Sequence, residues 1–212
     1  TLRHLIDAGE LGEVHRFESR FERWKPSETR AWKAGTTATG AVVLYDLGAH
    51  LIDQAVQLLG EVENVYAEIR TLRADSGADD DTFVALEHTS GAISHLWMSA
   101  VAPQLGPRFR VLGSRAGFTS WGTEPAEQHL TPRAAANRDG SSDEDDVRHA
   151  WVGVADEQRR VRLARDDYGD FYRGVARAIS TGTPPPVDAR DSVAVIALIE
   201  RLHREFTAPP SG

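Results

Sequence analysis

Cysteine is absent from the 212 residues, and this absence removes three kinds of chemistry. Without thiols the chain can form no disulfide, no thiolate zinc site and no cysteine nucleophile, which fits a reducing, cytoplasmic compartment. Basic residues are in the minority, since 24 Lys and Arg stand against 32 Asp and Glu for a formal charge of -8. Because nucleic acids and anionic membrane surfaces are bound through clustered positive charge, we expect neither as a partner.

Long apolar runs are missing as well. No stretch approaches the roughly 20 apolar residues that cross a bilayer, and no signal peptide is visible, so we expect no membrane partner. With 41% hydrophobic and 26% charged residues, the composition is that of a globular protein, and residues 1–212 are predicted to form one domain. The sequence opens with Thr1 in a helical pattern (Leu2, Leu5, Ile6), from which we expect it to be part of a longer protein.

The stretch from Leu44 to Leu59 has the pattern around which the rest of the chain is organised. Read as one helix, it places Asp46, His50 and Asp53 in a polar arc about 100° wide, with Leu, Ile and Ala over most of the remaining surface. A helix this apolar is expected to be buried on most sides, so its polar arc is expected to face a cleft or a partner. Asp46 and His50 are four residues apart on one face, where an ionised carboxylate would favour the imidazolium and orient the ring.

The residues alone leave two interpretations of that arc open. It can be a reaction site, or it can be a solvated stripe on a surface helix, with the Asp46–His50 pair merely stabilising the helix. A metal site is not expected, because Asp46, His50 and Asp53 form a carboxylate-rich set that suits zinc poorly. Gly48 interrupts the helical pattern, which indicates close approach by a neighbouring strand or by a flat ligand; packing is the commoner reason.

Aromatic residues flank the same region. Trp24, Trp32 and Tyr45 would suit a polyhydroxylated substrate, although core packing is the commoner role for any one of them. Two further histidines, His88 and His95, fall in strand patterns and are expected to be structural or exposed rather than ligands.

Alternating apolar and polar residues, separated by turn signals, predict six strands with helices before and after them. The predicted strands are residues 14–23, 61–72, 82–88, 92–100, 108–112 and 117–121. Amphipathic helices are predicted at 167–180 and at 188–206, the second with Asp188 as its N-cap. The stretch 24–41 and the acidic stretch 131–150 are predicted to be loops. The expected fold class is α+β, an open, mainly antiparallel sheet with helices packed on one face.

Two common enzyme motifs are missing. The nearest approach to a glycine-rich phosphate loop, Gly113 to Gly117, lacks the G-x-G-x-x-G spacing and a following helix, and is predicted to be a hairpin turn. The chain is therefore expected to have no dinucleotide site of its own. No G-x-S-x-G is present for a serine nucleophile.

Three blocks of sequence, in order along the chain, resemble the C-terminal part of the Gfo/Idh/MocA family of NAD(P)-dependent oxidoreductases. The blocks are LIDAGELGEVHRFESRFERW at 5–24, LYDLGAHLIDQA at 44–55 and FRVLGSRAGF at 109–118. The second block contains the signature D-x-G-x-H from Asp46 to His50. Within the family, the chain is most similar to the members that act on inositols and related sugars.

This resemblance implies a two-part enzyme that transfers a hydride between a nicotinamide and a sugar, inositol or related polyol. The present chain corresponds to a glyceraldehyde-3-phosphate-dehydrogenase-like C-terminal domain, which would bind this small substrate and pair subunits through its sheet face into a homodimer or tetramer. NAD or NADP would be held mainly by an N-terminal Rossmann domain outside this sequence, so the chain alone is expected to be inactive. On the matching positions, His50 would accept and donate the proton, and Asp46 would bind substrate and position the imidazole.

A protein of a different class is compatible with the same residues. A non-catalytic carbohydrate-binding or dimerisation module would keep the sheet and perform no redox chemistry. It predicts dimers and sugar binding from this chain alone, whereas the enzyme interpretation predicts turnover only in a longer protein.

Overall fold

The sheet is the largest element of the structure, a computed structural model that describes residues 1–27, 43–74, 76–121, 149–164 and 168–207. Its strands are β1 (Val14–Glu22), β2 (Val62–Arg70), β3 (Asp81–His88), β4 (Ile93–Ser99), β5 (Phe109–Gly113), β6 (Gly117–Ser120), β7 (His149–Val154) and β8 (Glu157–Arg162). They lie in the order β2-β3-β4-β1-β5-β6-β7-β8. Neighbouring strands are antiparallel, except that β1 and β4 are parallel. The predicted α+β class with an open, mainly antiparallel sheet is confirmed.

Helices cover one face of this sheet. The described α-helices are α1 (Leu2–Asp7), α2 (Ala49–Leu59), α3 (Tyr168–Thr181) and α4 (Ala189–Phe206), and a π-helical turn, Leu44–Gly48, runs directly into α2. The predicted N-cap of α4 is confirmed, because the Asp188 side chain accepts a hydrogen bond from the backbone N–H of Arg190. α2 packs on β1 and β4, while α4 packs on α2 and β2.

Within the described residues, no helix combines the length and the hydrophobicity that crossing a membrane requires.

The six strands predicted from alternation are all present, with ends within two residues of those expected. The β7–β8 hairpin was not predicted. The predicted loop over 131–150 is wrong at its end, because His149 and Ala150 belong to β7; residues 131–148 lie outside the described residues, as do 28–41 of the other predicted loop. β8 has the sequence EQRRVR with five of its six residues exposed, so the alternation that marks a half-buried strand is missing from it.

The core lies between the sheet and the helices α2 and α4. It is filled by alternate residues of the central strands, which point to the helices, and by the apolar side of the helix that begins at Leu44. Its most buried members include Phe17, Leu44, Leu51, Ile52, Val84, Leu86, Leu96, Met98, Ile199 and Leu202. This packing anchors the helix from Leu44 to Leu59 directly on β1 and β4.

The other set of alternate residues forms the second face of the sheet, named here the open face and defined by Arg20, Tyr66, Phe83, His95 and Trp97. The ring centroids of Phe83 and Trp97 lie 5.2 Å apart, and those of Phe83 and His95 lie 5.6 Å apart. The parallel register pairs Arg20 with Trp97, and the guanidinium lies 3.9 Å from the centre of the Trp97 ring. The open face is therefore aromatic and charged rather than simply hydrophilic.

Candidate active site

The helix predicted over residues 44–59 begins as a π-helix. From Leu44 to Gly48 the hydrogen bonds follow the π pattern, which joins residues five apart, and the regular α-helix starts at Ala49. Because a π-turn contains more residues than an α-turn, Asp46 lies slightly less than one turn before His50. The prediction of a regular α-helix is thus wrong at its first turn, and the departure falls on the D-x-G-x-H signature. Such π-turns are rare and occur frequently at functional sites.

Asp79 fixes the start of this helix. Its carboxylate oxygen Oδ2 accepts hydrogen bonds from the backbone N–H of Leu44 and from the Thr82 hydroxyl, each at 3.0 Å, and its carbonyl oxygen accepts one from the N–H of Val43. Burial raises the pKa of the Asp79 carboxyl, whereas the bonds from Leu44 and Thr82 and the charge of His203 oppose the rise. The side chain therefore anchors the helix start to the strand β3.

Gly48 lies where the π-turn meets the sheet. A Cβ at this position would lie 3.5 Å from Met98 Sδ and 2.8 Å from Leu44 Cδ1, the second of which is too close for an unshifted side chain. Gly48 and Met98 are both buried. The close approach at this glycine is to the Leu44 side chain one turn earlier in the same helix, whereas its distance to Met98 of β4 is an ordinary packing distance.

The ridge, as we name it here, lies along the side of the helix that faces away from the core. It consists of Asp46, His50 and Asp53. Asp46 and His50 are exposed, whereas Leu47 and Leu51 are buried beneath them. The predicted division of this helix into a buried apolar side and an accessible polar arc is therefore confirmed. An exposed imidazole beside carboxylates can take up and release a proton.

Asp53 connects the ridge to α4. Burial raises the pKa of the Asp53 carboxyl, the negative charge of Asp191 raises it further, and the charge of His50 acts in the opposite direction. Asp191 lies in the first turn of α4. The ridge is thus bordered by α4, and His50 lies close enough to Asp53 for their charges to interact.

Tyr45 contacts the same helix α4 farther along. Its ring stacks on the imidazole of His203 with centroids 5.2 Å apart and planes 15° apart. Burial raises the pKa of the Tyr45 hydroxyl, and the negative charge of Glu200 adds to the effect. Its predicted role in substrate binding stays a prediction, because its described ring contact is with His203.

The two tryptophans proposed as substrate contacts have different outcomes. Trp24 follows β1, forms an isolated bridge to Val101 and is 57% exposed, so the core-packing interpretation does not apply to it. Trp32 lies outside the described residues. Substrate contact stays a prediction for both residues.

Arg108 is a residue near the ridge that sequence reasoning missed. It is 8% exposed, donates from Nη1 to the Ser19 hydroxyl at 2.6 Å and from Nη2 to Gln54 Oε1 at 3.4 Å. Its guanidinium also lies 4.2 Å from the centre of the Phe109 ring. Arg108 therefore joins β1 to the polar arc of α2 beneath the ridge. No local pattern distinguishes it from an ordinary exposed arginine at a strand end.

The stretch from Gly113 to Gly117 joins β5 to β6. The predicted hairpin turn between Gly113 and Gly117 is confirmed, with the N–H of Gly113 donating to the carbonyl oxygen of Ala116 at 3.0 Å and β6 following it. In the described ranges, no group of three or more His, Asp and Glu side chains is arranged to hold a metal ion.

Comparison with known proteins finds dehydrogenases among the relatives of this chain. The chain is 28% identical over 213 residues to the scyllo-inositol 2-dehydrogenase (NADP(+)) IolW of Bacillus subtilis, covering 94% of this chain and 56% of that protein. It is 28% identical over 200 residues to D-xylose 1-dehydrogenase (NADP(+)) 2 of Haloferax volcanii, covering 92% of this chain and 55% of that protein. The chain therefore spans little more than half the length of these relatives.

A solved structure extends the likeness to the fold. The crystal structure of an oxidoreductase from Klebsiella pneumoniae superimposes with a TM-score of 0.79 at 28% identity, over 96% of this chain and 56% of that one. The family description of the GFO/IDH/MocA C-terminal domain matches residues 1–119, which include β1, the ridge and the strands up to β6. The chain belongs to the Gfo/Idh/MocA family of oxidoreductases, in which it corresponds to the C-terminal domain.

Proposed function

We propose that this chain is the substrate-binding and subunit-pairing domain of an NAD(P)-dependent oxidoreductase that acts on a sugar, an inositol or a related polyol. The observation that carries the proposal is the accessibility of Asp46 and His50 on a helix whose other sides are buried in the core. The proposal is supported by the relatives, whose names specify an inositol and a pentose as substrates and NADP as the cofactor.

The chemistry assigned to this chain is proton transfer. A nicotinamide bound by another part of the protein would accept a hydride from a carbinol carbon, or in the reverse direction would supply one to the carbonyl carbon. His50 takes the hydroxyl proton as the carbonyl forms and returns it in the reverse direction, because an imidazole nitrogen can accept a proton and donate it again. Asp46 accepts a hydrogen bond from a substrate hydroxyl and orients the His50 ring. The charge of His50 acts to lower the pKa of the Asp53 carboxyl, against the larger effect of burial.

Subunit pairing is assigned to the open face. Aromatic residues and Arg are the types enriched at protein interfaces, and the open face combines Tyr66, Phe83 and Trp97 with Arg20. Glu18, on the same side of β1 as Arg20, forms ion pairs with Nη2 of Arg20 at 3.1 Å and with Nη1 of Arg110 at 2.7 Å. These ion pairs join side chains of β1 and β5 and compensate their charges, which favours contact with a second copy.

The open face is also the observation that favours the alternative, a non-catalytic carbohydrate-binding or dimerisation module. Accessible aromatic rings can bind the faces of sugars as well as pair subunits. This alternative leaves the exposed His50 without a role, and for that reason we place it second.

The test is an assay of the complete protein encoded by the gene. Incubation with NAD⁺ or NADP⁺ and a panel of inositols, D-xylose and hexoses should reduce the nicotinamide with at least one substrate, whereas the present 212-residue chain should give no turnover. Heat released when sugars are titrated into this chain, together with no turnover by the complete protein, would establish the binding module instead.

A further inference from the structure

The second half of α4 lies beside the π-turn that carries Asp46. α4 packs on both α2 and the π-turn. Asp191, in the first turn of α4, interacts through its charge with Asp53, whereas Glu200, farther along α4, interacts with Tyr45. α4 therefore runs antiparallel to the helix that bears the ridge, and its second half reaches the residues of the D-x-G-x-H signature.

His203 is the residue of α4 that stacks on the π-turn. Its imidazole lies almost parallel to the Tyr45 ring, with the planes 15° apart and the centroids 5.2 Å apart. Tyr45 directly precedes Asp46, so the stacked ring supports the backbone from which Asp46 projects. His203 is itself held in place, because the preceding Leu202 is fully buried and His203 Nδ1 lies 3.3 Å from the Thr207 hydroxyl.

Toward the π-turn, the imidazole acts through its face. Its Nε2 atom is buried and has no hydrogen-bond partner among the described residues. Burial lowers the pKa of His203, although the negative charge of Asp79 opposes the shift, so the ring is largely uncharged at neutral pH. Asp79 bonds the N–H of Leu44, the first residue of the π-turn, and His203 stacks on the second.

We infer that His203 is a positioning residue for the ridge, which keeps Asp46 and His50 in place by stacking on Tyr45. It takes no part in the proton transfer itself. The inference rests on the proposed function, because that function assigns proton transfer to the ridge. A stacked aromatic pair is strong enough to change the population of a locally opened turn by about three- to tenfold.

Hydrogen exchange in the 212-residue chain tests the inference without any substrate. In His203→Ala the amides of residues 44–50 should exchange about three- to tenfold faster than in wild type, when those of β3 serve as the internal reference. His203→Phe keeps a ring that can stack and should restore slow exchange. His203→Gln keeps polar atoms without a ring and should behave like His203→Ala. Arg204→Ala, at the exposed neighbouring position, is the matched control and should exchange like wild type.

Tyr45→Ala completes a double-mutant cycle. This variant alone should accelerate the same amides, and the addition of His203→Ala should accelerate them little further, because both variants remove one shared contact. In the complete protein, His203→Ala should lower kcat with the polyol by at least about threefold and leave nicotinamide affinity unchanged, since the ridge loses its alignment. His203→Phe should restore kcat.

Three exchange results would overturn the inference: equal acceleration of residues 44–50 and β3 in His203→Ala, rescue by His203→Gln but not by His203→Phe, or additive effects of the two alanine variants. Turnover that depends on His50 but is unchanged in His203→Ala would refute the inference and leave the proposed function intact. A complete protein without turnover would refute the proposed function instead, while acceleration confined to residues 44–50 would still establish that His203 holds the π-turn.

Discussion

The carboxylate of Asp79 accepts a hydrogen bond from the backbone N–H of Leu44, 35 positions earlier in the chain, at 3.0 Å. Leu44 is the first residue of the π-turn that carries Asp46. A buried acceptor at the start of a helix satisfies one of the N–H groups that the helix itself leaves unpaired. The direction in which the ridge points is therefore set partly by a side chain on the loop before β3.

Removing that acceptor should destabilise the chain. Asp79→Ala leaves the buried N–H of Leu44 and the Thr82 hydroxyl without their partner, and the free energy of unfolding should fall by about 1–3 kcal/mol. Asp79→Asn keeps an acceptor oxygen and should lose less. Urea unfolding followed by far-ultraviolet circular dichroism measures both. Asp7→Ala, an exposed carboxylate in α1, should stay within about 0.5 kcal/mol of wild type. An Asp79→Ala variant as stable as Asp7→Ala would refute the anchoring role.

His50→Ala in the complete protein should lower kcat by about 10²- to 10⁴-fold, because the hydroxyl proton loses its acceptor, and it should leave nicotinamide affinity nearly unchanged. Steady-state kinetics and titration of the cofactor separate the two effects. Gln57→Ala, on the same exposed side of the helix two turns later, is the matched control and should retain wild-type kcat. Unchanged turnover in His50→Ala would support the other interpretation, in which the ridge is a solvated stripe with no catalytic role.

Stability should fall on mild acidification because of His88. This side chain is 1% exposed; its Nδ1 donates to the Gly60 carbonyl oxygen at 2.9 Å, and its Nε2 accepts from the Ser94 hydroxyl at 2.7 Å. Burial lowers the pKa of His88, while hydrogen bonds with the backbone of Gly60 and Glu61 oppose the shift. The contribution of His88 to stability is thus fully present above about pH 6.5, the pKa of a histidine side chain in the unfolded chain. It is lost as the pH falls toward the lower pKa of His88 in the folded protein.

The check compares urea midpoints at about pH 7.5 and pH 5.5. The loss of stability between the two should be smaller in His88→Gln than in wild type, since the variant has no imidazole to protonate at this position. His15→Gln, on an exposed position of β1, should retain the wild-type loss. If all three proteins respond equally to acidification, His88 does not control the pH dependence.

Pairing through the open face should depend on Trp97. We expect the chain to sediment as a dimer or a larger oligomer, and Trp97→Asp to shift it to a monomer by placing a charge in the middle of the aromatic row. Tyr172→Asp, an exposed aromatic residue on α3, should leave the oligomer of this chain intact. If the Trp97→Asp variant sediments with the same coefficient as wild type, the open face is not the interface.

Much of this fold could be predicted because its central strands obey simple rules. In β3 and β4 every second residue is buried, from Thr82 to His88 and from Ser94 to Met98, so the alternation in the sequence matches the geometry. The ridge could be found for the same reason, since the polar arc of a largely apolar helix is visible in the sequence. The parallel pairing of β1 with β4 could not, because it joins residues more than 70 positions apart.

The unpredicted features depend on tertiary contacts. Asp79 stands in a run of three aspartates that resembles a solvated turn, and only the approach of Leu44 and Thr82 buries it. The π-turn could not be predicted either, because Leu44, Leu47 and Leu51 have the i, i+3, i+7 spacing of an ordinary α-helix. Arg108 could not be identified either, because its hydrogen-bond partner Ser19 lies 89 positions away in the sequence.

The edge strand β8 limits how copies of this protein can associate through that edge of the sheet. Strands at the border of a sheet present unpaired backbone groups to any strand that approaches, and charged side chains along such a border discourage that approach. β8 carries three arginines and a glutamate among its six residues, so two copies aligned along it would bring like charges together. Joining two sheets through their β8 edges is thereby disfavoured, and this edge is protected against aggregation by its own side chains.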